Sequence, residues 1–221
     1  MNAPIALLFD FNGTLVNDTD CHLQAWLQVL QQHGATLSLS DMRQQWYGKN
    51  EEIVERILPN RFSSGEKLAI SLQKEKVYLS TFNKQVVPVQ GLTNFLDAAA
   101  DLHIPMAVGS AATPTTLNTL LEHLNIAHYF TATVSANEVT HSKPHPETYL
   151  QCAQKLQIPP QQCIVFEDAP KGAEAAAAAD MYCIALTTTH PPEAFTGLHN
   201  ILHYIPDYQH EWLWQWLASY K

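Results

Sequence analysis

The chain has 221 residues, of which 46% are hydrophobic and 15% charged, so it can bury a sizeable core and general disorder is excluded. Lys and Arg number 12 and Asp and Glu 21, and the formal net charge of −9 argues against a nucleic-acid or anionic-membrane binder. We therefore expect no nucleic acid and no membrane among its partners. The four cysteines form no Cys-x-x-Cys pair, which favours reduced thiols and a cytoplasmic location.

Four short apolar runs, taken in chain order, are typical of buried parallel strands. They occupy residues 5–9, 105–108, 163–166 and 183–186. Helical patterns lie between them, at residues 115–124 and 146–156, with leucine and other apolar residues every three or four positions. Strands that alternate with helices predict an α/β fold, with a doubly wound parallel-sheet (Rossmann-like) core.

One long stretch interrupts this alternation directly after the first strand. Residues 17–85 contain no strand-like run and only amphipathic helical patterns, and Pro88 and Gly91 mark the return to the core. The sequence therefore predicts an inserted all-helical cap domain at 17–85. The α/β catalytic core would then consist of residues 1–16 and 86–221.

Polar residues follow three of the four predicted strands. Asp10 follows the first, Ser110 the second, and Glu167 with Asp168 the third. In a doubly wound sheet the ligand binds outside the carboxyl ends of the strands, so these side chains should converge. Carboxylates without a neighbouring Cys or His suit Mg²⁺ as the cation.

Other residues near the same strand ends could bind an anion. Gly13 permits a tight turn after Asp10 that presents backbone amides, and Ser110 with Ala111 offers a hydroxyl and an amide for phosphate oxygens. Lys143 precedes a helix that starts with proline, which explains Pro146 but not the lysine. A lysine there can neutralise both a carboxylate and a phosphate.

Together these motifs resemble those of the haloacid dehalogenase superfamily over nearly the whole chain. The resemblance rests on Asp-Phe-Asn-Gly-Thr at 10–14, Ser110, Lys-Pro-His-Pro-Glu-Thr at 143–148 and Val-Phe-Glu-Asp-Ala-Pro-Lys-Gly at 165–172. The last two stretches are specific for the branch that contains β-phosphoglucomutase and small-molecule phosphatases. In that branch a helical cap follows the first strand, as the spacing here suggests independently.

The resemblance implies a role for each matching residue in the hydrolysis of a small phosphorylated metabolite. Asp10 would be the nucleophile that forms an aspartyl-phosphate. Mg²⁺ would be held by Asp10, Asp168 and the backbone carbonyl of Asn12, with Glu167 acting through water. The transferring phosphoryl group would be bound by Ser110, Lys143 and the amides around Asn12, Gly13 and Ala111.

Asn12 is a departure from this family's pattern. Phosphatases and phosphomutases of the family carry an acid/base aspartate at that position, and an asparagine side chain cannot shuttle a proton. Three functions therefore stay open: a phosphatase weakened by Asn12, a catalytically impaired phosphate-binding relative, and a β-phosphoglucomutase-like phosphomutase. Glu51 stands where the mutase has its specificity arginine, which favours the phosphatase.

Two cap residues are candidates for contact with substrate. His22 lies where the mutase has a histidine close to its acid/base aspartate, and Lys49 follows the glycine of a loop that faces the active site in the family. We also expect a monomer. The remaining histidines predict no zinc site: His141 and His145 flank Lys143 and need not share a face, and His190 is expected at the surface.

Overall fold

The structure is a computed structural model, and it describes residues 5–82 and 86–220. The chain divides into two compact units, one comprising Met1–Asn17 with Val87–Lys221 and the other Asp18–Val86. The predicted boundaries, at 16/17 and 85/86, differ from these by one residue each. Residue 85 itself lies outside the described part of the chain.

A six-stranded parallel sheet forms the middle of the first unit. Its strands are β1 (Ala6–Phe9), β2 (Met106–Gly109), β3 (Ala132–Val134), β4 (Cys163–Glu167), β5 (Tyr182–Leu186) and β6 (Ile201–Ile205). They lie in the order β3-β2-β1-β4-β5-β6, so the first strand of the chain is central and has β2 and β4 as neighbours. The predicted doubly wound α/β core is confirmed.

The continuous apolar runs of the central strands follow from burial on both faces. Every residue of β1, β2 and β4 is buried. Helices cover the sheet, and in this unit they are α5 (Leu92–Asp101), α6 (Pro114–His123), α7 (Glu147–Leu156), α8 (Pro170–Ala178) and α9 (Glu211–Ala218). The small residues of α8 pack closely on the sheet, with Ala173, Ala175 and Ala176 fully buried.

The regular elements of the second unit, within its described residues, are all helices. It contains α1 (Thr19–Gln32), α2 (Leu39–Gln45), α3 (Asn50–Ile57) and α4 (Ser64–Phe82). A core that includes Leu23, Trp26, Val29 and Ile53 joins these helices. This helical unit therefore has a hydrophobic core of its own.

The search for continuous apolar runs missed two of the six strands. β3 and β6 lie at the two edges of the sheet and are only partly buried. Neither has the continuous apolar run that marked the other strands.

The described part of the chain contains no helix long and apolar enough to cross a membrane.

Candidate active site

The carboxyl ends of three neighbouring strands bring the predicted residues together. Phe9 of β1 pairs with Val108 of β2 on one side and with Phe166 of β4 on the other. The N–H of Asp10 continues the ladder by donating to the Phe166 carbonyl at 3.0 Å. Register alone therefore sets Asp10 level with the last residue of β4, Glu167.

Lys143 lies at the centre of this cluster. Its ammonium donates to Asp10 Oδ1 at 2.5 Å, to Glu167 Oε1 at 2.8 Å and to the Gly109 carbonyl at 3.2 Å. Burial alone would lower the pKa of Lys143, but the charges of Asp10 and Glu167 outweigh it, so the pKa is raised. Lys143 therefore stays charged and holds the anionic form of the nucleophile candidate.

Glu167 is fixed by donors on both of its carboxylate oxygens. Oε1 accepts from Lys143 and from the Tyr149 hydroxyl, each at 2.8 Å, and Oε2 accepts from the backbone N–H groups of Asp168 and Ala169, each at 3.0 Å. A Cβ on Gly172 would lie 1.6 Å from Oε1, so only glycine leaves room for the carboxylate. These contacts make Glu167 the group that positions Lys143, and its metal role through water stays a prediction.

Asp168 is a buried carboxyl group that lies beside two other carboxylates, Asp10 and Glu167. It is only 4% exposed, and burial followed by the charges of Glu167 and Asp10 raises its pKa well above the usual value. Thr14 donates to its Oδ1 at 3.1 Å, and Thr189 donates to Oδ2. Two hydroxyl donors thus orient a carboxyl group whose surroundings disfavour the ionised form.

The turn after β1 depends on Gly13. This residue has φ of +80°, and a Cβ there would lie 2.1 Å from Asp168 Oδ2. Its N–H donates to the Val16 carbonyl at 2.7 Å and its carbonyl accepts from Thr188. Gly13 therefore lets the turn close beside Asp168, whereas the predicted use of its amide for phosphate would require the bond to Val16 to be replaced.

The end of β2 presents Ser110 and Ala111. Ser110 is buried, its N–H donates to the Val134 carbonyl at 2.9 Å, and its hydroxyl oxygen accepts from the Ala112 N–H at 3.1 Å. Ala111 is half-buried, as is Asn12 in the turn after β1. The structure thus sets these three at the strand ends, and their contacts with a phosphoryl group stay predictions.

The two cap candidates lie in the helical unit. His22 is only 4% exposed; its Nδ1 is 2.6 Å from Lys74 Nζ, and its Nε2 is 3.3 Å from Asp18 Oδ2. Its ring also stacks on Tyr78, with 3.8 Å between centroids. Lys49 is half-buried at the start of α3, where its N–H donates to Glu52 Oε2 at 2.9 Å. His22 is thus part of a buried network rather than a polar residue facing solvent.

Several residues of the site went unnoticed in the sequence. Tyr149 donates to Glu167, and its position inside a helical apolar pattern concealed its hydroxyl. Thr14, Thr188 and Thr189 were also missed, although Thr187-Thr188-Thr189 follows β5 directly, which is the same strand-end signal that identified Asp10. His190, expected at the surface, is half-buried, with Nδ1 3.0 Å from the Asp168 carbonyl oxygen.

Asp10, Glu167 and Asp168 offer oxygen atoms that lie within 4.8 Å of one another, beside one buried ammonium. So many ionised groups at the ligand-binding edge of a doubly wound sheet would be costly as a purely structural feature. The fold and the site define an α/β protein with an inserted helical unit and a cluster of carboxylates at the carboxyl ends of β1 and β4.

The comparison with known families agrees with this class. The profile of the family described as haloacid dehalogenase-like hydrolase matches residues 7–186. The chain belongs to this family. The structure of β-phosphoglucomutase from Clostridium difficile has a TM-score of 0.84 to this fold at 23% identity, with 99% of both chains covered.

Two characterised relatives are similar in sequence. The fructose-1-phosphate phosphatase YqaB of Escherichia coli (strain K12) is 34% identical over 177 residues, which is 79% of this chain and 92% of the relative. Hexitol phosphatase B of the same organism is 30% identical over 212 residues, with 86% of this chain and 85% of the relative covered.

Proposed function

We propose that the chain is a Mg²⁺-dependent phosphatase that hydrolyses a phosphate ester of a small metabolite, with Asp10 as the nucleophile. The observation that carries the proposal is the contact between Asp10 and the buried ammonium of Lys143, with two more carboxylates beside it. The names of the relatives, a fructose-1-phosphate phosphatase and a hexitol phosphatase, favour a sugar or polyol phosphate as the substrate.

The donor set fits a magnesium ion. Asp10 and Glu167 share the Lys143 ammonium, and burial followed by the charges of Glu167 and Asp10 raises the pKa of Asp168. Asp10, Asp168 and the backbone carbonyl of Asn12 would hold the ion, and Glu167 would act through water; oxygen ligands of this kind suit Mg²⁺. When bound, the ion supplies the positive charge that phosphoryl transfer needs.

Asp10 performs the covalent chemistry. One of its carboxylate oxygens attacks phosphorus, an aspartyl-phosphate bond forms, and the ester P–O bond breaks so that the alcohol oxygen leaves with the electron pair. Water then attacks phosphorus, the Asp10 O–P bond breaks, and inorganic phosphate is released. Lys143 keeps Asp10 anionic before the attack and offers its charge to the phosphoryl oxygens during it.

Asn12 determines which leaving groups react well. An alkoxide must receive a proton as it departs, and Asn12 cannot donate one in the way that an aspartic acid can. General acid–base catalysis is worth about 10²–10⁴ in rate. We therefore expect a large handicap with sugar phosphates and a small one with acyl or aryl phosphates, whose leaving groups are stable as anions.

A turnover panel tests this proposal. Acetyl phosphate, p-nitrophenyl phosphate and fructose 1-phosphate are offered with Mg²⁺ to the wild type, Asn12→Asp, Asp10→Asn and the exposed control Asp101→Asn. Asp10→Asn should abolish turnover and EDTA should do the same reversibly, while Asp101→Asn stays at the wild-type rate. Asn12→Asp should raise fructose 1-phosphate turnover by about 10²-fold or more, and acetyl phosphate turnover much less.

The alternatives predict different results. A phosphate-binding relative is favoured by Asn12 alone, and it would bind inorganic phosphate with Mg²⁺ yet stay inactive even as Asn12→Asp. A phosphomutase would convert a sugar 1-phosphate into an isomeric phosphate without releasing inorganic phosphate. Turnover that survives in Asp10→Asn would overturn the nucleophile assignment.

A further inference from the structure

A second cluster of metal-ligating side chains lies on the segment that carries Lys143. His141, His145 and Glu147 offer ligand atoms within 4.8 Å of one another. The two histidine side chains are 63% and 49% exposed, and Glu147 is 21% exposed. We propose that these three residues form a binding site for a divalent transition-metal ion of the zinc type, separate from the carboxylate cluster around Asp10.

The distances between the donor atoms match what such an ion needs. His141 Nδ1 lies 3.2 Å and His145 Nδ1 3.8 Å from Glu147 Oε2. Bonds of about 2.1 Å at tetrahedral angles place neighbouring ligand atoms about 3.4 Å apart. Only small side-chain rotations are needed to surround an ion, and solvent can supply the remaining ligand.

The types of ligand also separate this site from the first. Two imidazoles and one carboxylate form the three-protein-ligand set of open zinc sites, whereas the Asp10 cluster offers oxygen atoms alone. The sequence did not require His141 and His145 to share a helical face. In the structure their rings lie 4.5 Å apart between centroids.

Glu147 is already prepared as an anionic ligand. Hydrogen bonds from the backbone N–H groups of Thr140 at 2.7 Å and His141 at 2.9 Å lower its pKa to about 2. This capping of the segment explains Glu147 but not the two imidazoles beside it. His145 Nδ1 accepts the Glu147 N–H at 3.3 Å, a long bond that the ion would replace.

An ion at this site would connect both ends of the segment around Lys143. His141 and His145 flank the lysine in sequence, while its ammonium points inward to Asp10 and Glu167. The site lies entirely within the α/β unit and does not depend on the proposed phosphatase activity. Its test is therefore a binding measurement rather than a rate.

Zinc itself is the probe. Zn²⁺ is titrated into the full chain in competition with a chromophoric chelator, with excess Mg²⁺ present to occupy the oxygen-only cluster. His141→Ala and His145→Ala should each weaken binding by at least about tenfold, and the double variant should lose the site. The control His128→Ala removes an exposed histidine elsewhere and should bind zinc like the wild type.

A spectroscopic measurement makes the test independent of the variants. X-ray absorption of the wild-type chain with one equivalent of Zn²⁺ should show two imidazole nitrogens among the ligands. The proposal is overturned if the double variant keeps wild-type affinity, or if the bound zinc has oxygen ligands alone. Since both imidazoles are exposed, unchanged thermal denaturation without zinc should show that the variants fold.

Discussion

The α/β unit and the helical cap each bury one lysine among polar side chains, and the two lysines behave in opposite ways. Burial lowers the pKa of Lys143, but the charges of Asp10 and Glu167 outweigh this effect, so the pKa is raised. At Lys74 the effect of burial dominates, and the pKa is lowered. Lys74 has one carboxylate within hydrogen-bond distance, Glu75 Oε1 at 3.0 Å, and Lys143 has two. The charges of two adjacent carboxylates outweigh the cost of burial at Lys143, whereas those around Lys74 do not.

The two lysines also differ in whether a nitrogen atom lies beside the ammonium. Lys74 Nζ lies 2.6 Å from His22 Nδ1, and burial followed by the charge of Lys74 lowers the pKa of His22. Around Lys143 every neighbouring acceptor is an oxygen, including the carbonyl of Gly109 and the hydroxyl of Tyr149. The α/β unit therefore holds its lysine in the charged form, while the surroundings of Lys74 in the helical unit disfavour the charged form.

Replacing each lysine with methionine should give the largest contrast. Lys143→Met leaves Asp10 and Glu167 as adjacent anions without their cation, so we expect turnover to fall by more than about 10³-fold and stability by about 3–5 kcal/mol. Lys74→Met removes a costly buried charge and leaves Glu75 bonded to Asn50 Nδ2 at 2.8 Å, so its stability loss should be smaller. Urea unfolding in Mg²⁺ buffer and turnover measure both effects.

Equal losses of stability in Lys143→Met and Lys74→Met would contradict the inferred difference between the two buried lysines. So would an active Lys143→Met variant, because the Lys143 ammonium donates to Asp10 Oδ1 at 2.5 Å and its loss should disable the nucleophile. A circular-dichroism spectrum checks that each variant is folded before its turnover is compared.

The fit of Glu167 against α8 allows a second, smaller contrast. Gly172→Ala would place a Cβ 1.6 Å from Glu167 Oε1, so the carboxylate must move away from Lys143. Overpacking of this kind costs about 1–3 kcal/mol, and we expect turnover to fall with it. Gly65→Ala is the matched control, since a Cβ there meets nothing within 4 Å and the residue lies in helix α4.

Gly65→Ala should be neutral or stabilising by up to about 1 kcal/mol, because alanine favours helix over glycine. Thermal unfolding and turnover of the two alanine variants are compared side by side. If Gly172→Ala is as active as Gly65→Ala, the position of Glu167 does not matter to the reaction, and its assignment as a positioning residue is wrong.

Most of the fold could be predicted because the sequence contains two strong signals. Runs buried on both faces identified β1, β2, β4 and β5, and the lack of such a run identified the helical insert. β3 and β6 lie at the sheet edges, where burial is partial and the pattern is weak. Strand ends located Asp10, Ser110 and Glu167 because parallel strands share one carboxyl edge.

The remaining polar contacts could not be predicted because they depend on distances between elements far apart in the chain. Nothing local marks Tyr149 as a partner of Glu167, since its neighbours fit an ordinary amphipathic helix. His22 and Lys74 are separated by 52 positions and meet only because α1 packs on α4. Spacing rules describe one element at a time, and such pairs lie beyond them.

The smallest expected effect concerns the pH dependence of the cap. Burial, followed by the charge of Lys74, lowers the pKa of His22 below its usual 6.5. Below pH 6.5 the unfolded chain therefore binds a proton that the folded chain does not, so stability falls as the pH drops toward the folded-state pKa. Each unit of pKa difference is worth about 1.4 kcal/mol. His22→Gln should remove this part of the pH dependence and the exposed control His128→Gln should not, as urea unfolding at pH 7.5 and 5.5 can measure. If His22→Gln keeps the full wild-type slope, the pKa of His22 is not lowered in the folded chain, and the interpretation of the buried contact between His22 and Lys74 is wrong.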